Sequence, residues 1–131
     1  RLKHENVVEF IEYSVATDFE TMSLLAPHLA NGNLMDYVRQ EFDTNRRLGL
    51  ARDVTNGLQY LHSREPPIVH GNLHPFNVLV SETGKAVLDD YGLEALDIHH
   101  LSATNRIVSV RWSSPEVNLG DPAIIQSDMW S

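Results

Sequence analysis

The chain has 131 residues, 42% of them hydrophobic and 21% charged, and 18 acidic against 10 basic side chains give it a formal charge of -8. That length builds one domain at most, and the acidic balance argues against nucleic acid or an anionic membrane as a partner, since each needs a basic face. Without cysteine there are no disulfides or thiolate zinc sites, and no run approaches the ~18 consecutive apolar residues of a membrane span, so no membrane contact is expected from this region.

In chain order, Val7 to Tyr13 and Met22 to Leu25 are short apolar or β-branched runs separated by Ala16 to Glu20, a pattern that predicts an antiparallel hairpin. Pro27 stops the pairing. Asn31-Gly32-Asn33 then supplies turn chemistry and a helix cap before Leu34 to Val38. From about Arg46 to His62, Leu50, Ala51, Val54, Leu58 and Leu61 recur at three- and four-residue steps, which predicts a helix with one apolar stripe ending before Pro66-Pro67. Ile68 to His70, Asn77 to Val80 and Lys85 to Leu88 read as short strands, the last two joined by Ser81-Glu82-Thr83-Gly84 as a hairpin. Glu94 to Arg111 shows no sustained period and reads as a long loop.

The chemistry-bearing residues lie in an ordered series. His70-Gly71-Asn72-Leu73-His74-Pro75-Phe76-Asn77 followed by Asp90-Tyr91-Gly92 resembles the catalytic loop H-R-D-x-x-x-x-N and the metal-binding D-F-G turn of a protein kinase. Leu2-Lys3-His4-Glu5-Asn6-Val7-Val8 resembles the family's L-x-H-x-N-I-V. Leu24 to Leu34, with Asn31-Gly32-Asn33-Leu34, looks like the hinge and the helix after it, and Leu58-Gln59-Tyr60-Leu61-His62 like the end of the long helix before the catalytic loop. Arg111-Trp112 with Ser114-Pro115-Glu116 is similar to the R-W-x-A-P-E form of the tyrosine-kinase-like group, and Ser127-Asp128-Met129-Trp130-Ser131 to S-D-V-W-S. Together these span essentially the whole chain.

The resemblance implies an α+β fold that is a partial protein-kinase domain. Residues 1–25 would be the last strands of the N-lobe, 26–33 the hinge, and 34–131 the mainly helical C-lobe through the start of its central helix. It implies ATP and Mg²⁺ as cofactors. Asn77 and Asp90 would offer the hard oxygen ligands that such an ion takes alongside phosphate, and Leu29 and Leu79 would line the adenine slot. It also implies a cytoplasmic location, and other protein or regulatory domains of a longer parent as partners.

Several departures decide what chemistry to expect. Asn72 stands where the family has the Asp that accepts the substrate hydroxyl's proton, and an amide is not a base at neutral pH. Gly71 replaces the Arg that clamps an activation-loop phosphate, so modification of Ser102, Thr104 or Ser109 would lack that clamp. His74 replaces the catalytic-loop Lys, and an ordinary imidazole is mostly uncharged at pH 7. Tyr91 for Phe is mild because the ring still packs. No G-x-G-x-x-G loop, strand Lys or partner Glu precedes the hinge, which leaves the nucleotide site half built.

The pattern resembles a pseudokinase or kinase-homology region such as those of receptor guanylyl cyclases and some plant receptor-like kinases, with a regulatory or scaffolding role. The alternative is an active ATP-dependent Ser/Thr or Tyr kinase with a rerouted base. A zinc site at His70 and His74 would need a helix that Pro75 denies, so His70 reads instead as a buried anchor of the backbone. Ser113-Ser114 lacks the G-x-S-x-G elbow of a serine hydrolase.

Overall fold

The computed structural model describes residues 2–15, 22–40, 43–92 and 110–131. The hairpin strands are β1 (Glu12–Val15) and β2 (Met22–Leu25), antiparallel with Glu12 opposite Leu25 and Val15 opposite Met22. The segment expected to link them, Ala16 to Glu20, lies outside the described residues, as does most of the expected loop from Glu94. Val7 to Ile11 is not part of β1. Val7 instead bridges Leu88 in parallel; Val8 N–H donates to the Leu88 carbonyl at 2.8 Å and Leu88 N–H to the Asn6 carbonyl at 2.9 Å. An apolar run read as one local strand is thus drawn across the fold by a distant partner.

Helix α1 (Leu34–Tyr37) starts where the turn chemistry put it, with Asn33 Oδ1 accepting from Asp36 N–H at 2.9 Å. Helix α2 (Thr44–His62) begins two residues before the predicted Arg46, because Asp43 Oδ1 caps it by accepting from Arg46 N–H at 2.8 Å. Leu50, Leu58 and Leu61 are buried as their spacing requires, and Val54 is partly so. Ala51 is exposed. Gly57 is the buried residue that the stripe omits: a Cβ there would meet the Asn6 carbonyl oxygen at 2.6 Å and Leu88 Cδ1 at 2.8 Å. Its bare backbone lets α2 lie close against the sheet.

That sheet is β3 (Val78–Val80) paired antiparallel with β4 (Ala86–Leu88), Leu79 opposite Val87. The Ser81 to Gly84 turn closes it with Gly84 at φ 76 and its N–H on the Ser81 carbonyl. Ile68 to His70 forms no strand, since Ile68 N–H returns to the Leu61 carbonyl and His70 N–H goes to a side chain described below. Two short helices follow, α3 (Pro115–Asn118) and α4 (Ile125–Asp128). One core joins Val7, Leu50, Leu58, Leu61, Leu73, Val78, Ala86 and Leu88. Its polar edge is Asn6, 1% exposed, whose Nδ2 donates to the Ala86 carbonyl at 2.8 Å.

Candidate active site

The loop between α2 and β3 is held mainly from below. Asp128, at the end of α4 and 3% exposed, accepts His70 N–H on Oδ2 and Gly71 N–H on Oδ1, both at 2.8 Å. His62 Nε2 lies 2.8 Å from the same Oδ2. A carboxylate with two backbone donors and an imidazole has its lone pairs well satisfied, so its burial is compensated. Gly71 sits at φ 80, where a residue without Cβ carries no steric cost, and this directs both N–H groups at one side chain.

His70 is fully buried, as the anchor reading requires: its carbonyl accepts from Gly92 N–H at 3.0 Å, tying the loop to the Asp90-Tyr91-Gly92 turn. Burial is the main cause that pushes its imidazole down from 6.5 to about 4, so the ring is neutral at pH 7. Asn72 N–H points at His70 Nδ1 at 3.4 Å, which fits the Nε2–H tautomer.

The sequence-derived site residues fall as follows. Asn77 Nδ2 donates to the Asn72 carbonyl at 3.0 Å, and the Asn77 carbonyl accepts from Asp89 N–H at 2.9 Å. Two consecutive hydrogen bonds therefore connect the loop residue Asn72, the β3 lead-in Asn77 and the β4 end, where Asp90 is the next residue. Asp90 has φ 54, a left-handed conformation uncommon outside glycine but tolerated by Asp. Burial raises the proton affinity of its carboxyl, and burial plus the Asp90 charge does the same at Asp89. His74 is buried, its pKa is lowered by that burial, and its ring meets the Phe76 ring edge-on at 6.0 Å. It is a neutral packed ring and carries no charge to offer phosphate at pH 7. Leu29 and Leu79 are half-buried, and the backbone between their segments is linked by Val80 N–H donating to the Gly32 carbonyl and Gly32 N–H to that of Leu29.

Tyr91 packs, as expected, against Phe10 at 5.2 Å, and its hydroxyl donates to the Val8 carbonyl at 2.9 Å. Burial first, and then Asp89, pushes that phenol up to about 12.

The donor set suits magnesium. With Nδ2 committed to Asn72, Asn77 keeps its carbonyl oxygen for a hard cation, and among the described residues no cationic side chain pairs with the Asp89 or Asp90 carboxylate. Asn77 and Asp90 would hold the ion, and a magnesium-bound nucleotide supplies the phosphoryl group in such a site. Sequence reasoning assigned no role to Asp128 or to its contact with His62. The signal was its place in the Ser127-Asp128-Met129-Trp130-Ser131 motif, which leaves its partner unspecified.

A family model described as protein tyrosine and serine/threonine kinase matches residues 1–131. This chain belongs to the protein kinase family. It is 34% identical over 137 residues to the serine/threonine-protein kinase CTR1 of Arabidopsis thaliana, covering 100% of this chain and 16% of that protein. It is 32% identical over 124 residues to the serine/threonine-protein kinase TNNI3K of Mus musculus, covering 89% and 14%. It is also 32% identical over 139 residues to the putative leucine-rich repeat receptor-like protein kinase At2g19210 of Arabidopsis thaliana, covering 100% and 16%. The chain thus spans only 14–16% of the length of these kinases. The matched family uses ATP and Mg²⁺. Among the described residues no helix is long and apolar enough to cross a membrane.

Proposed function

We propose that this segment belongs to a pseudokinase: a kinase-homology domain that regulates or scaffolds other domains of its protein in the cytoplasm and transfers phosphate weakly or not at all. The observation that carries the reading is Asn72 at the base position, in a loop otherwise held in order by Asp128 and His70. Loss of a positioned base costs roughly 10²- to 10⁴-fold in rate. The neutral, packed His74 removes a second contribution, the cation beside the transferred phosphoryl group. Asn77 and Asp90 keep the oxygen ligands, which supports Mg²⁺-nucleotide binding as the retained property; Leu29 and Leu79 would flank the base.

The second reading, an active ATP-dependent kinase acting on protein hydroxyls, is favoured by the names of the relatives, which are serine/threonine-protein kinases. One experiment separates the two. In the full-length protein, Asn72→Asp is expected to raise single-turnover phosphoryl transfer by at least about tenfold. Asp90→Asn is expected to weaken Mg²⁺-dependent nucleotide affinity instead. Transfer by the unaltered protein at ~1–100 s⁻¹, the ordinary kinase range, overturns the pseudokinase reading.

A further inference from the structure

Two departures from the kinase pattern meet on one small cavity. Asn72 stands for the Asp of H-R-D and Ser114 for the Ala of A-P-E, so each puts a polar group of its own where the pattern has another residue. Ser114 is 2% exposed and precedes α3 without capping it through its side chain. Asn72 Oδ1 and Ser114 Oγ are both shut off from solvent, and neither has a hydrogen-bond partner among the described residues. Both residues line the same cavity of about 10 Å³, together with Gly71, Trp112, Ser127 and Asp128. The Ser114 hydroxyl lies near enough to Glu116 to hold that carboxyl below its usual range, although it falls short of hydrogen-bond geometry. A hydroxyl oxygen carries lone pairs as well as a hydrogen, so Ser114 Oγ can accept in the cavity, as Asn72 Oδ1 does.

Two buried oxygens on residues that border one space can both be satisfied by a donor with two hydrogens, and about 10–15 Å³ is the least room that holds one water. We propose that a single buried water occupies this cavity, donating one hydrogen to Asn72 Oδ1 and the other to Ser114 Oγ. It ties the catalytic loop to the segment that begins α3. Asn72 is then a strut between two parts of the site, a role that is independent of whether the protein transfers phosphate.

The test uses the full-length protein and amide hydrogen exchange of the peptides covering 70–74 and 110–118. Ser114→Ala is expected to speed exchange in both peptides by about tenfold, and Ser114→Thr, which keeps the hydroxyl, to restore protection. Asn72→Ala is expected to match Ser114→Ala, with the double variant no worse than either alone. Unchanged exchange in Ser114→Ala, multiplying effects in the double variant, or failure of Thr to rescue overturns the proposal. Should a variant not fold, a crystal structure of the unaltered protein at a resolution that shows ordered water decides: density within hydrogen-bond reach of both oxygens supports the link, and its absence refutes it.

Discussion

Burial sets the proton affinity of His70, and this gives the protein an acid limb that can be measured. The folded ring titrates near 4, against about 6.5 for an exposed imidazole, so the unfolded chain takes up the proton first as pH falls. The stability is fully present above ~6.5, declines between there and 4, and levels off below, a loss on the order of 3 kcal/mol. His74, also lowered by burial, adds to the decline. Asp89 and Asp90 act with the opposite sign: their raised folded values mean that stability present at low pH is lost as pH rises through them. Urea unfolding of the full-length protein between pH 7 and 4 should show the decline, and His70→Asn should flatten it; an unaltered protein with a flat acid limb contradicts the assignment. Asp128 gives a second expectation. Asp128→Ala strands one buried and one part-buried N–H donor, the buried one at ~1–3 kcal/mol, so a loss of at least about 1–3 kcal/mol should appear in the same measurement. The motif spacing marked Asn72, Asn77 and Asp90, whose side chains or neighbours the folded loop links. Asp128 was not legible as the anchor of His70 and Gly71 because a carboxylate that accepts from distant backbone N–H groups leaves no periodicity behind.

At the scale of elements, α2 and its contact with β4 organise the domain. Leu58 is 7% exposed in that contact, and Leu58→Ala should cost about 2–5 kcal/mol; an unchanged denaturation midpoint would place the stripe outside the core. Gly57→Ala removes no contact yet should also destabilise, by about 1–3 kcal/mol, since the added methyl meets backbone oxygen and a packed Leu side chain. The helix was readable because an apolar residue every three or four positions has one physical solution. The β3–β4 hairpin was readable because its turn is local. Two misreadings share a cause. Val7 to Ile11 and Ile68 to His70 are apolar runs, but Val8 and His70 find their backbone partners far along the chain, at Leu88 and Asp128, and local pattern does not say which run will find a strand beside it.

Over the whole molecule, apolar surface is left uncovered. Leu119 is 87% exposed, Met129 70%, and Leu48 and Trp130 each 62%, while the described residues form only two-stranded sheets, which hold poorly alone. The 131-residue chain by itself should aggregate or unfold without a sharp transition; a monodisperse monomer with one cooperative melt would contradict this. The clamp on the loop has a further consequence, in time. The Asp128 carboxylate closes on His70 across 58 residues of chain. Synthesis at roughly 5–20 residues per second puts about 3–12 s between the two. Through that interval the nascent loop has its sequence but not the group that fixes its backbone.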